Sequence, residues 1–151
     1  MLLAVTFALG ANFPPLEIYT LDDRRVQLPA DIGDKRVALL VEWSRQQDDD
    51  LRQWTSYLLR FKKEFWSLPL VGNLGSVFDA AVLVSLRASL DADREVRTAP
   101  LFKEPPDLKP LLGSDAQNVD VYVVSGDGKI HHHEVGPFAD DKAARLVAAI
   151  K

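Results

Sequence analysis

Five residues between two apolar segments are the first place in this sequence where chemistry could occur. The order Trp43-Ser44-Arg45-Gln46-Gln47 includes one hydroxyl nucleophile, Ser44. A catalytic serine needs a base and an oxyanion donor beside it. Ser44 is not part of a Gly-x-Ser-x-Gly motif, because its neighbours are Trp43 and Arg45. We therefore interpret Ser44 as a residue that caps or hydrogen-bonds at the start of a helix, with hydrolysis as the alternative.

Three consecutive histidines form a second candidate site. Alternation along a strand would place His131 and His133 on one face, close enough to share a zinc or copper ion. Such a site would need a third ligand, for example Glu17 or an aspartate. We expect instead a solvent-facing pair without a metal, and no cofactor.

Trp43 and Arg45 are also candidates for contacts with a partner. Binding hot spots are rich in aromatic and arginine side chains. The alternative is that Trp43 packs in the core and that Arg45 forms a surface ion pair with Asp48 or Asp49. Near the end of a later apolar segment, Arg87 could contact a partner or solvent.

Composition excludes several classes of function. The chain has 151 residues, of which 47% are apolar and 26% charged, as expected for one globular domain. Its net charge is −4 without a dense Lys/Arg cluster, so a nucleic-acid partner is not expected. It has no cysteine, which excludes disulfides, thiolate metal sites and thiol nucleophiles within this sequence.

The first twelve residues differ from the rest of the chain. Residues 1–11 are almost entirely apolar and end in small residues, as in a secretory signal, but no basic residue precedes them. This apolar run is too short to span a bilayer. Residues 1–12 are therefore either the remnant of a signal or an N-terminal arm, and residues 13–151 form a single domain. We expect a periplasmic or cell-envelope location and no transmembrane segment, with the cytoplasm as the alternative.

A buried strand and an amphipathic helix must position the junction at Trp43 to Gln47. The run from Arg36 to Trp43 is continuously apolar with charge only near its margins, which predicts a strand covered on both faces. Apolar residues then recur every three or four positions, which predicts a helix: Leu51, Trp54, Leu58, Phe61 and Phe65. The junction should lie at the carboxyl edge of a sheet, where open α/β folds usually carry their chemistry.

The remaining pattern predicts the other elements of one α/β domain. In order, we expect a hairpin (17–21 and 25–28), a strand (67–71), an apolar helix (76–90), a frayed polar segment (91–98), a brief strand (99–102), a short helix (107–112), a second hairpin (119–124 and 129–135) and a final helix (140–150). The turn Ser125-Gly126-Asp127-Gly128 supports the second hairpin, because its residues tolerate positive φ.

This order of elements resembles the thioredoxin-like fold, in the variant shared by peroxiredoxins and by lipid-anchored or periplasmic thiol-disulfide proteins. The segment from Val121 to Ile130 is similar to the second hairpin of that fold. The resemblance implies an α/β three-layer sandwich: a central mixed sheet with helices on both faces, an N-terminal β-hairpin and a helical insertion.

The residues that perform redox chemistry in that fold are replaced here. Thioredoxin-like oxidoreductases have Trp-Cys-x-x-Cys where this chain has Trp43 to Gln47, so Ser44 stands at the attacking thiol and Gln47 at the resolving thiol. The cis-proline that faces the two sulfurs corresponds to Val119, for which we predict a trans peptide bond, because a cis bond before a residue other than proline costs about 2.5–4 kcal/mol.

Among thioredoxin-like proteins without cysteines, the chain is similar to the mitochondrial ATP-synthase assembly-factor family and its bacterial relatives. The similar segments are Trp43-Ser44-Arg45, Arg87 to Arg97 and Asp127 to His131 with Gly136 beyond it, whereas that family usually has an aromatic residue at His132. The resemblance implies a protein that binds subunits of a membrane complex without redox turnover.

We therefore expect a redox-inactive binding protein, such as an assembly factor or chaperone, and not an enzyme. The alternatives are an enzyme with a catalytic group other than a thiol, and a structural or regulatory module. The partner-binding candidates are Trp43, Ser44, Arg45, Gln47, Arg87 and Val119.

Overall fold

The computed structural model describes residues 12–70, 76–101, 108, 112 and 114–150, and its strands form two sheets. The strands are β1 (Leu16–Tyr19), β2 (Arg25–Leu28), β3 (Arg36–Glu42), β4 (Phe65–Pro69), β5 (Asp120–Ser125) and β6 (Ile130–Val135). β1 and β2 form an antiparallel hairpin, and the other four strands form a mixed sheet in the order β4-β3-β5-β6. β3 runs parallel to β4 and antiparallel to β5, which is antiparallel to β6.

Four helices are described in addition to two short 3₁₀ turns. They are α1 (Asp48–Arg60), α2 (Ser76–Ser89), α3 (Ala92–Glu95) and α4 (Asp140–Ala149), and the 3₁₀ turns are Ala30–Ile32 and Arg45–Gln47. Three aspartates, Asp48 to Asp50, occupy the first turn of α1 and complement the positive end of its dipole. No helix among these is both long and apolar enough to cross a bilayer.

Side-chain alternation along β3 divides the core into two clusters. Ala38 and Leu40 point to one face and pack with Trp54 of α1 and Leu146 of α4; we call this cluster the helix-side core. Leu39 and its odd-numbered neighbours point to the opposite face, the hairpin-side core, and pack with the following residues: Phe13, Ile18, Val26, Leu28, Leu101, Leu108 and Leu112. The sheet is therefore covered on both faces, as its apolar sequence predicts.

The end of α1 corrects one prediction. The periodic apolar pattern extended the helix to Phe65, but α1 ends at Arg60 and Phe65 is the first residue of β4. Lys62 has a φ of 55°, its N–H donates to the carbonyl of Leu59 (3.1 Å), and the N–H of Lys63 donates to the carbonyl of Leu58 (2.9 Å). These two bonds form a Schellman motif, which stops the helix and turns the chain into the strand.

Most other predicted elements are confirmed, with shifted boundaries. β1 begins and ends earlier than predicted, and β4 spans Phe65–Pro69 with Pro69 at its end. The predicted frayed segment instead contains α3, which begins after Asp91, whose carboxylate accepts from the N–H of Arg94 (2.9 Å). In the described part of the strand predicted at 99–102, residues 99–101, the pairing is a bridge between Leu70 and Leu101.

Several predictions fall on other parts of the chain. Residues 1–11, the strand positions Val71 and Phe102, and most of the helix predicted at 107–112 lie outside the described residues. Within that last stretch, Leu108 and Leu112 are helical and fully buried. The division into residues 1–12 and a domain from residue 13 stays a prediction.

Replacing Gly126 with alanine should destabilise the fold through a close backbone approach. A Cβ atom at this position would lie 2.3 Å from the carbonyl oxygen of Gly33, so the two turns must move apart. We expect Gly126→Ala to lower the free energy of unfolding by about 1–3 kcal/mol. Urea unfolding monitored by tryptophan fluorescence measures this. The control Lys129→Ala removes an exposed side chain of the same turn and should change stability by less than about 0.5 kcal/mol; equal effects would contradict the prediction.

Candidate functional site

Ser44 connects the central strand to the first long helix. Its backbone is extended (φ −152°, ψ 145°), and its Oγ accepts a hydrogen bond from the N–H of Gln46 (3.2 Å). This cap starts the 3₁₀ turn that leads into α1. The predicted capping role is confirmed. No histidine contacts Ser44 within the described part of the chain, so the base that hydrolysis would need is not in place there.

Trp43 and Gln47 face inward. Trp43 is only 7% exposed, and its indole Nε1–H donates to Oδ2 of Asp120 (2.7 Å). Its backbone N–H donates to Oε1 of Gln47 (2.9 Å), and Nε2 of Gln47 donates to the carbonyl of Ala116 (3.1 Å). These bonds fasten the junction to the loop before β5. The structure therefore supports the packing interpretation of Trp43, and both side chains are committed inside the protein.

The carboxyl group of Asp120 organises the interior behind the junction. It is almost fully buried and accepts hydrogen bonds from Trp43 and from the hydroxyl of Ser114, while Nε2 of His133 lies 2.7 Å from its second oxygen. The His133 ring stacks on Tyr122, with centroids 4.3 Å apart and planes inclined by 9°. Three hydrogen-bond partners thus compensate this buried carboxyl group, as buried polar groups require. Sequence reasoning missed this role, although one signal was present: Asp120 interrupts an otherwise apolar run.

Val119 lies in the core, beside this network. It is fully buried in the helix-side core, so its side chain offers no surface to a partner. Among the described residues the cis peptide bond is Leu28–Pro29, and the bond before Val119 is trans, as predicted.

His131 and His133, the metal-site candidates, do not form the solvent-facing pair that the sequence predicts. Strand pairing joins Val123 to His132 and Val124 to Ile130, so His131 is an extra residue, a β-bulge. Ile130 therefore takes the inward position opposite Val124. The expectation of simple alternation was wrong for this reason.

The histidines also have separate partners. Nε2 of His131 lies 2.7 Å from Oγ of Ser125, whereas His133 is 6% exposed and bonds to Asp120. Burial, with the cations Arg36 and Lys129, lowers the pKa of His131 below its ordinary value. No group of three or more histidine, aspartate or glutamate side chains with a metal-binding arrangement occurs among the described residues.

Glu42 is an unexpected titratable group at the end of β3. Its side chain is fully buried, and its Oε2 has no hydrogen-bond partner among the described residues. Burial raises the pKa of Glu42 to about 8; hydrogen bonding to Asp48 and repulsion by its charge add to this, and Arg45 opposes it. Glu42 is therefore largely protonated at neutral pH.

Arg45 projects outward from the junction. Its guanidinium lies 3.1 Å from the carboxylate of Asp48 and 3.5 Å from Oε1 of Glu42. The ion pair with Asp48 is one of the two that the sequence predicted. Half of the Arg45 side chain remains exposed, and this exposed part borders an open cleft.

The junction cleft, as we name it, has a volume of about 340 Å³ and separates α1 from the segment around α3. Its lining residues are Arg45, Asp48, Leu51, Arg52, Thr55, Ser56, Ser67, Pro69, Leu86, Ser89, Leu90, Asp91, Arg94 and Thr98. Three of them are arginines and two are aspartates, so the lining carries one excess positive charge on a chain whose net charge is −4.

The second predicted arginine lies elsewhere. Arg87 borders a different depression, beside β1, and its Nε–H donates to the carbonyl of Leu21 (2.9 Å). It also pairs with Asp23 (3.1 Å). The structure thus places Ser44 and Arg45 together at the junction, Trp43, Gln47 and Val119 beneath it, and Arg87 at the N-terminal hairpin.

The raised pKa of Glu42 predicts an unusual dependence of stability on pH. Between the ordinary pKa near 4.5 and the folded pKa near 8, the folded state binds more protons than the unfolded state, so stability falls as pH rises through this window. The fall should approach about 1.4 kcal/mol per pH unit. In Glu42→Gln we expect this component to disappear, so that the variant exceeds the parent protein in stability above pH 7.

Urea unfolding at pH 5, 6.5, 8 and 9 measures the difference. The control Glu64→Gln alters an exposed glutamate that pairs with Lys35 and should leave the difference between pH values as in the parent protein. A Glu42→Gln variant whose stability changes between pH 5 and pH 8 as that of the parent protein does would contradict the prediction.

Comparisons with known proteins identify the fold. No protein-family model matches the sequence, and no curated protein sequence is detectably similar to it. Among solved structures, the chain is similar to the exposed lipoprotein thioredoxin Etrx1 of Streptococcus pneumoniae strain TIGR4, with TM-score 0.60 and 16% identity over 90% of this chain and 98% of that one. The thioredoxin domain of a thiol-disulfide oxidoreductase from Bacteroides vulgatus has TM-score 0.61 and 17% identity, with coverages of 95% and 99%.

A third similar structure is BsSco, described as a member of the Sco family of cytochrome c oxidase assembly proteins. It has TM-score 0.61 and 12% identity, and the similarity covers 94% of this chain and 95% of that one. At these identities the likeness concerns the fold. Together with the central mixed sheet and its N-terminal hairpin, it shows that this cysteine-free chain has the thioredoxin-like fold.

Proposed function

We propose that this chain binds a protein partner at the junction cleft, without redox turnover, and assists the assembly of a complex at or near a membrane. The observation that carries the proposal is the junction itself. Where thioredoxin-like oxidoreductases have their attacking thiol, this chain has Ser44, and an open cleft begins at the next residue, Arg45.

The chemistry of the junction favours binding over thiol exchange. Thiol–disulfide exchange requires attack by a thiolate, and this chain has no cysteine. The Ser44 hydroxyl is hydrogen-bonded to the backbone as a cap, and the Trp43 indole is bonded to Asp120. The residues that correspond to the redox motif of thioredoxin-like oxidoreductases thus maintain the shape of the junction, while the cleft beside it is open.

Two observations support a role in assembly. BsSco, which is described as belonging to a family of cytochrome c oxidase assembly proteins, shares the fold over 94% of this chain. The sequence around the junction and the second hairpin also resembles the ATP-synthase assembly-factor family. A protein that assists assembly by binding needs a surface that fits its partner and needs no catalytic turnover. A cysteine-free chain with an open cleft suits this role.

We also propose a periplasmic or cell-envelope location for this chain, and the support is again a similar structure. The similar structure Etrx1 is described as an exposed lipoprotein. A partner in a membrane complex would be reached from that compartment.

Site-specific photo-crosslinking tests the proposal. A benzoylphenylalanine at Ser89, which lines the cleft, should form an adduct with a subunit of a membrane complex in the native membrane fraction. The control position, Gln27, is exposed on β2, away from the cleft. An adduct at Ser89 and none at Gln27, identified by mass spectrometry, would support the proposal.

Two results would overturn it. One is the absence of an adduct at Ser89, or the same adducts at both positions. The other is turnover above background by the purified protein in an insulin-reduction or peroxidase assay, because redox turnover is what the proposal denies.

A further inference from the structure

We infer that the junction cleft recognises a carboxylate side chain of the partner, flanked by an aliphatic residue, and that Arg52 provides the principal charged contact. This inference rests on the proposed function and specifies the chemistry of the bound segment. It follows from the charges, hydrogen-bond donors and apolar surface of the cleft.

Two of the three arginines in the cleft form ion pairs within the protein. Arg45 is paired with Asp48 at 3.1 Å. Arg94 is paired with Asp91, and its Nε–H also donates to Oγ1 of Thr55 (3.2 Å). Each of these two arginines therefore has a carboxylate of its own within the protein.

Arg52 differs from both. Its guanidinium is exposed in the cleft and has no ion-pair or hydrogen-bond partner among the described residues. A planar guanidinium with free donors binds a carboxylate through two parallel hydrogen bonds. The excess positive charge of the cleft is thus located at a side chain that is free to bind an anion.

A second donor lies one helical turn from Arg52. The hydroxyl of Ser56 accepts a hydrogen bond from Arg94 (2.5 Å), so its own hydrogen remains available. Residues four apart on a helix lie on the same side of it. Arg52 and Ser56 therefore present a charged donor and a neutral donor to the same region of the cleft.

Another part of the cleft lining is apolar. Leu51, Leu86, Leu90 and Pro69 supply aliphatic surface beside these donors. A volume of about 340 Å³ is near the lower limit of ligand pockets, enough for one or two side chains of a peptide segment. A segment with an acidic residue next to an aliphatic one would therefore place its carboxylate at the donors and its aliphatic side chain on the apolar surface.

An NMR titration with short peptides tests this inference. The probes are acetyl-Ala-Leu-Glu-Leu-Ala-amide and the same peptide with glutamine in place of glutamate, added to the uniformly ¹⁵N-labelled full chain. We expect the glutamate peptide to shift amide signals of residues 48–56 and 86–94 in a saturable manner. The glutamine peptide should bind at least about fivefold more weakly, because it lacks the charge-assisted bonds.

Two arginine variants of the same helix provide the matched comparison. Arg52→Gln should weaken binding of the glutamate peptide about fivefold or more. Arg60→Gln changes an arginine that stacks on Tyr57 and Phe61 outside the cleft and should leave the affinity unchanged. Both substitutions are at exposed positions, and the spectra of the free variants show whether the fold is retained.

The inference is overturned if both peptides bind equally, if neither shifts these signals, or if Arg52→Gln has no effect. These failures are distinguishable from failure of the proposed function. An adduct at Ser89 with equal binding of the two peptides would mean that a partner uses the cleft through another chemistry. No adduct at Ser89 with selective binding of the glutamate peptide would support the anion site and reject the protein partner.

Discussion

The buried carboxyl group of Asp120 is the interaction on which the arrangement of the junction depends. It joins four parts of the chain: Trp43 after β3, Ser114 in the loop before β5, β5 itself and His133 of β6. A buried carboxyl group is costly unless its oxygens are hydrogen-bonded, and its donors would in turn be left unpaired without it. The network therefore ties the position of Trp43, and with it the start of α1, to the second hairpin.

Two buried acids on opposite faces of the sheet thus support one solvent-facing junction. Asp120 lies on the hairpin side and has three hydrogen-bond partners, whereas Glu42 lies on the helix side of β3, where burial raises its pKa to about 8. The first arrangement fixes geometry, and the second responds to pH. Arg45 and Arg52 remain at the surface, so the side chains that we propose for binding are separate from the acids that maintain the fold.

Sequence patterns were sufficient to predict the elements whose environment is uniform along their length. The central strand, the second hairpin and the last helix follow from apolar periodicity and from glycine and aspartate in turns. They were insufficient where a single bond or an extra residue decides the structure. The Schellman motif at Lys62 ends α1 within an apolar pattern that continues to Phe65, and the bulge at His131 changes which residues of β6 point inward.

The sequence predicts where the candidate site lies, but it does not predict which residues line the cleft. The junction and the Arg45 pair with Asp48 follow from local sequence, because the residues involved are neighbours. The cleft joins residues of α1 to residues 86–98, far apart in sequence, so Arg52 had no distinguishing signal. Similarly, the pKa of Glu42 is raised mainly by burial, which depends on tertiary packing and is not encoded in adjacent residues.

The margins of the central sheet have a consequence for the behaviour of the chain in concentrated solution. An outer strand with a regular row of unpaired backbone groups invites intermolecular β-pairing and fibril growth. On one margin, Thr98 and Leu101 bridge to the β4 side; on the other, the extra residue His131 breaks the spacing of β6. A neighbouring molecule therefore meets an irregular backbone template at either margin, which disfavours self-association by strand addition.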